Sequence, residues 1–298
     1  MTRLLRRTYP ALAILAAGYI GVRRCLMARL AASPRPSAGA RLDFREVRFR
    51  STDGLTLTAW WSSRESSPRA AVLVHARGGS KRSPYVLETA LIYARAGFNV
   101  LALDLRSRGG SEGRFLTAGY QEVHDVRGAL SWLERQGFDA GEVMLHGWST
   151  GAVTVVRAAP GTGVAAVVEE SGYADLPILL GNRLPGKSGP SDLLCRVAFL
   201  TARALKVDFD PWALRPREEA ERLYEEGVPL LIIHSRDDRV VPFEHARLLS
   251  VAHPGAALWE LEGREHAAAH KHPQYADTLM AFMDKAKSVR REGGLDRG

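Results

Sequence analysis

A serine flanked by small residues is the strongest chemical signal in this sequence. Residues 147–151 read Gly-Trp-Ser-Thr-Gly and fit the pattern G-x-S-x-G around Ser149. The pattern follows an apolar run, Val143–Trp148, and precedes a stretch rich in Ala and Val, which is the strand–turn–helix setting of a nucleophile elbow. A serine in such a strained turn needs small neighbours, and Gly147 and Gly151 meet that need. We therefore predict that Ser149 is a nucleophile.

Partners for this serine follow it in the chain. A serine hydroxyl needs a base to take its proton. Asp238 comes after the apolar run PLLIIH, and His266 comes after the run ALWEL, so both fall just beyond predicted strands, where open α/β sheets gather active-site groups. The order Ser, Asp, His also accompanies a G-x-S-x-G elbow. We predict His266 as the general base and Asp238 as the acid that orients it.

Neighbouring residues offer alternatives to these assignments. Asp237 is adjacent to Asp238 and could be the acid instead. Four other histidines lie at predicted strand ends or near the last predicted helix, where we expect them to orient loops or to be solvated rather than catalytic: His75, His234, His270 and His272.

Attack on a carbonyl leaves a negatively charged oxygen, which preorganised backbone N–H groups must meet. One donor should be Thr150, because it follows the nucleophile and begins a helix with a favourable dipole. The other should come from the loop after the apolar run AAVLVH, over residues 76–79. We predict the Arg77 N–H for this role; the alternative is that the loop is merely a tight turn.

The elements that must position these groups alternate between strand and helix. Continuous apolar runs are typical of buried parallel strands, and the segments between them have helical spacing. This alternation predicts an α/β fold with a mostly parallel sheet and helices on both faces. The predicted strands are 44–49, 55–61, 70–75, 99–104, 143–148, 165–169, 229–234 and 257–261, of which the first two should pair antiparallel across Asp53-Gly54.

One segment interrupts the alternation. Residues 172–215 contain Gly/Pro-rich stretches and one helix with an apolar stripe, and they are too long for an ordinary connection. We predict a short helical lid over the site; the alternative is a helical insertion that only covers core surface.

The N-terminal residues differ from the rest in composition. Residues 10–22 carry no charge and are bracketed by arginines, which suits a short or tilted membrane span with snorkelling flanks. We predict a membrane anchor or signal segment over 1–32, uncleaved rather than exported, followed by a Pro/Ser/Gly linker over 33–41. A domain over 42–288 and a flexible tail over 289–298 complete the predicted organisation.

Composition limits the remaining function classes. The net charge of +8 is spread among negative residues except at the N-terminus, so we expect no nucleic-acid partner. The two cysteines, Cys25 and Cys195, have no metal-site spacing and indicate neither a zinc site nor a disulfide framework.

Taken together, these motifs resemble the α/β-hydrolase superfamily from about residue 42 to 283. The matching segments are HARGGSK (75–81), DLRSRGGSEG (104–113), GWSTG (147–151), DDRVVP (237–242) and GREH (263–266). The segment EESGYADLP (169–177) is similar to a bacterial subgroup of membrane-anchored serine hydrolases with a short lid. One departure is His75-Ala76, where the family usually has His-Gly, so the oxyanion loop could be tighter here.

This resemblance implies the triad Ser149, Asp238 and His266, and neither a metal nor an organic cofactor. It favours a serine hydrolase of small-molecule carboxylic esters or thioesters. The apolar stripe of the predicted lid and the predicted anchor point to acyl or lipid-like esters near a membrane. An aminopeptidase-like amidase, with Glu169 or Glu170 holding an amine, is the second reading. A non-catalytic binding protein on the same fold is the third.

Overall fold

The computed structural model describes residues 42–184 and 189–294. From Leu42 onward the chain forms one compact unit. The predicted anchor over 1–32 and the linker over 33–41 lie outside the described residues, as do 185–188 of the predicted lid and the last four residues of the predicted tail.

In the described part of the chain, eight strands form one sheet in the order β1-β2-β4-β3-β5-β6-β7-β8. The first two strands and the β2–β4 pair run antiparallel, and every later pair runs parallel. The strands are β1 (Arg45–Arg50), β2 (Thr56–Ser62), β3 (Ala70–Val74), β4 (Asn99–Leu103), β5 (Val143–Trp148), β6 (Ala166–Glu170), β7 (Leu230–Ser235) and β8 (Ala257–Leu261). The fold is therefore the α/β class that the sequence predicted, with the antiparallel edge it predicted.

The central strands are buried along their whole length. Every residue of β3, β4, β5 and β6 is buried, because helices cover both faces of the sheet. Along β3, Val72 and Val74 join one apolar core, while Ala71 and Leu73 join the other. This alternation follows from the two-residue period of a strand, and it fixes which face each following helix covers.

The helices divide between the two faces. Those described are α1 (Pro84–Arg95), α2 (Val123–Arg135), α3 (Thr150–Ala158), α4 (Leu176–Gly181), α5 (Asp192–Ala204), α6 (Pro216–Glu225), α7 (Glu244–Ala252) and α8 (Tyr275–Gly294). Helices α1 and α8 bury residues such as Tyr93 and Phe282 in one core. Helices α2, α3, α6 and α7 bury residues such as Leu133 and Leu249 in the other. Helix α8 continues to Gly294, past the domain boundary predicted at 288.

The predicted lid region holds α4, α5 and a short 3-10 helix, Pro211–Ala213. It packs on a third, small apolar cluster to which Val153, Leu176, Leu214 and Val241 belong. The N-cap side chain of Ser191 accepts a hydrogen bond from the backbone of Leu194, which starts α5. The segment therefore has its own helices and its own apolar contact with the sheet domain.

Within residues 42–184 and 189–294, none of the helices combines the length and the apolar character that crossing a membrane requires.

Candidate active site

Ser149 lies at the tight turn between β5 and α3, with φ 54° and ψ −117°. This left-handed backbone is rare for a residue with a side chain. A Cβ on Gly147 would come within 2.2 Å of the Gly151 carbonyl oxygen, and a Cβ on Gly151 would come within 2.1 Å of the Val74 carbonyl oxygen. Both glycines are thus required by close backbone packing, and the turn presents the Ser149 hydroxyl beyond the end of β5.

His266 and Asp238 meet this hydroxyl through one chain of hydrogen bonds. The Ser149 Oγ lies 2.8 Å from His266 Nε2, and His266 Nδ1 lies 2.7 Å from Asp238 Oδ2. Asp238 follows β7 and His266 follows β8, so the parallel strands bring residues 117 positions apart to one edge of the sheet. The structure places the three predicted residues together in the predicted order.

The carboxylate of Asp238 is held in its ionised form. Its side chain is fully buried, which by itself disfavours the charge. The hydrogen bond with His266 and those from the backbone N–H groups of Val240 and Val241, at 2.8 and 3.0 Å, outweigh this effect. The pKa of Asp238 is therefore lowered below its ordinary value. The ionised carboxylate can accept a hydrogen bond from the Nδ1–H group of His266.

The alternative acid, Asp237, lies elsewhere. It is exposed, and its carboxylate accepts a hydrogen bond of 2.6 Å from the backbone N–H of Gly263. It therefore braces the loop before His266 without contacting the imidazole.

The four other histidines also make contacts away from the serine. His75 donates from Nδ1 to the Ala76 carbonyl at 2.7 Å and accepts the Leu105 N–H at Nε2. Burial lowers the pKa of His75, which suits this neutral tautomer. His234 Nε2 lies 2.9 Å from the Val241 carbonyl and 3.5 Å from the Asp238 carboxylate. The rings of His270 and His272 pack beside Tyr85 and Trp259. Their contacts are those of loop-orienting or packing residues.

The predicted oxyanion donors, Thr150 and Arg77, belong to the start of α3 and to the loop after β3. Thr150 is the first residue of α3. On the other side, the 76–79 loop is fixed at Ala76, whose N–H donates to the Tyr85 hydroxyl at 3.1 Å and whose carbonyl accepts the Gly79 N–H at 2.8 Å. The N–H of Ala76 is therefore engaged, and the assignment of Arg77 as the donor stays a prediction. Ala76 is partly buried and packs against the apolar core that contains Tyr93 and Phe282.

A buried ion pair supports this loop, and the sequence analysis did not find it. The Lys81 ammonium lies 3.0 Å from the Asp104 carboxylate, and both side chains are almost fully buried. The same carboxylate accepts the Lys81 backbone N–H at 2.8 Å. Both residues stand inside the motifs HARGGSK and DLRSRGGSEG, so their motif positions were the available signal. Asp104 thereby ties the oxyanion loop to the end of β4.

Two buried glutamates end β6 beside the elbow. Glu169 accepts a very short hydrogen bond from the Gly172 N–H, while its second carboxylate oxygen has no hydrogen-bond partner within the described residues. Burial, with the nearby charges of Glu170 and Asp238, raises the pKa of Glu169 to about 8. Glu170 accepts hydrogen bonds from Trp148, Ala269 and Tyr275. Both carboxyl groups are buried, which does not favour their holding a substrate amine.

Comparison with known proteins gives one partial family match and several structures of similar fold. Residues 41–183 match the family model of the X-Pro dipeptidyl-peptidases of family S15, a range that includes Ser149 but neither Asp238 nor His266. The structure is similar to the esterase Pf2001 of Pyrococcus furiosus, with a TM-score of 0.64 and 18% identity over 85% of this chain and 98% of that one. It is equally similar to Est1E of Butyrivibrio proteoclasticus bound to ferulic acid, with a TM-score of 0.64 and 18% identity over 81% of this chain and 100% of that one. This chain therefore has the α/β-hydrolase fold.

Two curated relatives are similar in sequence. The uncharacterized protein YqkD of Bacillus subtilis is 27% identical over 65% of this chain and 64% of its own length. The lysophosphatidylserine lipase ABHD12 of Macaca fascicularis is 25% identical over 76% of this chain and 59% of its own length. The chain thus spans less than two thirds of either relative.

If Asp238 is the acid, replacing one of its carboxylate oxygens by an amide NH₂ group should have a large effect on kcat. In Asp238→Asn the amide oxygen can still accept the Val240 and Val241 N–H groups, but the NH₂ group then faces His266 Nδ1. The imidazole is forced into the tautomer that cannot accept the serine proton, so we expect kcat to fall on the order of 10⁴-fold. Steady-state kinetics on an activated ester would measure this. Asp237→Asn is the matched control and should leave kcat nearly unchanged; the opposite pattern would assign the acid to Asp237.

The buried Glu169 predicts a pH dependence of stability. Its pKa rises from 4.5 to about 8 on folding, so between these values the folded chain holds a proton that the unfolded chain has released. Stability must therefore fall as the pH rises through this interval. Glu169→Gln cannot ionise and should have a shallower slope than wild type, because the contribution of Glu169 is removed while that of Glu170, whose pKa is also raised, remains. Urea unfolding between about pH 5 and 8 would detect this. Exposed Glu134→Gln should keep the wild-type slope. Equal slopes in wild type and Glu169→Gln would contradict the prediction.

Proposed function

We propose that this chain is a serine hydrolase that cleaves carboxylic esters or thioesters through an acyl-enzyme intermediate. The observation that carries the proposal is the position of His266, whose two ring nitrogens lie 2.8 Å from the Ser149 hydroxyl and 2.7 Å from the Asp238 carboxylate. A nucleophile, a base and an orienting acid in hydrogen-bond contact are what covalent catalysis by serine requires.

In the first half of the proposed reaction, Ser149 Oγ attacks the acyl carbon while its proton passes to His266 Nε2. The imidazolium that forms is stabilised by the ionised Asp238. The N–H groups of Thr150 and Arg77 stabilise the oxyanion. Collapse of the intermediate breaks the bond to the alcohol or thiol, which leaves with the proton from His266.

In the second half, His266 takes a proton from water, and the oxygen attacks the acyl carbon of the Ser149 ester. Collapse breaks the bond to Ser149 Oγ and returns the proton to it. The acid leaves, and the enzyme is restored without any metal or cofactor step.

The ester reading is favoured over the amidase reading by the buried state of Glu169 and Glu170. The solved structures with similar folds include an esterase, and one curated relative is a lipase. The match to a peptidase family keeps amide hydrolysis as the second candidate. The hydrogen-bonded triad argues against a purely non-catalytic role.

The lid helix supports an acyl or lipid-like substrate near a membrane. Leu193 and Leu200 on α5 are 66% and 62% exposed, and Val197 lies between them at 42%. These positions share one helix face, and a contiguous apolar face is a site for binding. The N-terminal segment over 1–32 would then anchor the domain at that membrane, the exported and cleaved form being the alternative.

The serine assignment is tested by covalent labelling. A fluorophosphonate probe should label wild type and fail to label Ser149→Ala, because the probe bonds to the activated hydroxyl. In parallel, p-nitrophenyl esters should be cleaved far faster than aminoacyl anilides. Labelling retained in Ser149→Ala would reject the nucleophile, and faster cleavage of the anilides would reject the ester preference.

The anchor is tested by membrane fractionation of two forms of the chain. The full chain should sediment with membranes and resist alkaline extraction, whereas a chain that begins at Leu42 should remain in the supernatant. N-terminal sequencing of the sedimented chain should find the first residues intact. A soluble full chain, or a mature N-terminus beyond residue 32, would contradict an uncleaved anchor.

A further inference from the structure

The side chain of Glu170 lies at the centre of a buried hydrogen-bond cluster beneath the triad. It is fully buried and accepts three hydrogen bonds: from Trp148 Nε1 at 2.8 Å, from the Ala269 backbone N–H at 3.1 Å and from the Tyr275 hydroxyl at 3.1 Å. Burying a carboxylate is costly unless such donors surround it. The chain therefore buries an ionisable carboxyl group at this position.

The three donors come from the two segments that carry the nucleophile and the base. Trp148 directly precedes Ser149, whereas Ala269 lies three residues after His266 and Tyr275 begins α8. Glu170 thus connects the elbow to the loop that follows the histidine.

Backbone contacts reinforce the same connection. The Ser149 N–H donates to the Glu170 carbonyl at 2.8 Å, and the Ala267 N–H donates to Ser171 Oγ at 3.1 Å. Ala267 has a left-handed φ of 51°, so the chain turns sharply immediately after His266. Residues at the end of β6 and just after it therefore hold the backbone at Ser149 and at Ala267, next to the two residues that share the Ser149–His266 hydrogen bond.

The chemistry of the donors demands a carboxylate in particular. An indole N–H and a backbone N–H can only donate, and they reach different oxygens of Glu170. Both oxygens must accept, which an amide in place of the carboxylate cannot provide. The donors partly offset burial, which raises the pKa of Glu170 to about 7.

We propose that Glu170 is a positioning residue, which sets the distance between the His266 imidazole and the Ser149 hydroxyl by fastening the histidine loop to the elbow. This inference rests on the proposed hydrolase function. Because the reacting atoms must be held within a narrow range, a displacement of about 1 Å can cost on the order of 100-fold in rate. The effect should act on the chemical step rather than on substrate binding.

The test compares two isosteric substitutions at buried glutamates. In Glu170→Gln we expect kcat for a p-nitrophenyl ester, and the rate of fluorophosphonate labelling, to fall on the order of 10- to 100-fold while KM changes little. Glu122→Gln is the matched control, because Glu122 is equally buried and accepts hydrogen bonds from Thr117 and Gly119 within its own loop. Both rates are expressed per folded molecule, measured by circular dichroism.

A second variant, Tyr275→Phe, still tests the proposal if Glu170→Gln does not fold. Tyr275→Phe removes one donor from α8 without burying a new polar group, and Tyr275 is itself buried. We expect a several-fold fall in kcat, again with little change in KM. Where both variants fold, their effects should be non-additive, because they act through one contact.

The proposal is overturned if Glu170→Gln keeps wild-type kcat, if Tyr275→Phe does so when it alone folds, or if Glu122→Gln slows the reaction equally. These outcomes differ from failure of the hydrolase assignment itself. In that case wild type would not be labelled at Ser149, whereas here wild type is labelled and only the dependence on Glu170 is absent.

Discussion

The backbone of Ser149 is held in a conformation that costs about 1–3 kcal/mol for a residue with a side chain, and the surroundings of the site are arranged to keep it there. Gly147 and Gly151 permit the close packing of the turn against β3. The Ser149 N–H is satisfied by the Glu170 carbonyl of the neighbouring strand. The parallel sheet thus supplies both the space and the hydrogen bond that the strained turn requires, and the direction of the hydroxyl follows from it.

Three carboxyl groups lie near one another at the ends of β6 and β7, and their environments push their pKa values apart. Asp238 is surrounded by donors and stays ionised beside the imidazole. Glu169 has a single backbone donor, and the repulsion of its neighbours adds to burial, so it holds its proton at neutral pH. Such divergence keeps Asp238 ionised beside the imidazole while Glu169 stays neutral.

The reaction centre and the surface around it are built from different parts of the chain. The triad stands on strand ends of a fully buried sheet, where packing allows little freedom. The α4–α5 segment instead contacts a small separate cluster that includes Leu176 and Leu214, and it leaves Leu193 and Leu200 exposed. The α4–α5 segment therefore packs separately from the strand ends that carry the triad.

The sequence by itself predicted the alternating strands and helices, the antiparallel edge, and Ser149 and His266 as nucleophile and base, because each depends on local periodicity or on a position just after an apolar strand. Only the tertiary structure decided between Asp237 and Asp238, since adjacent side chains point in different directions at a turn. It also brought Lys81 to Asp104, and Glu170 to Ala269 and Tyr275. Those contacts join residues far apart in the chain through buried charges, and no pattern along the sequence records which donors will surround a buried carboxylate.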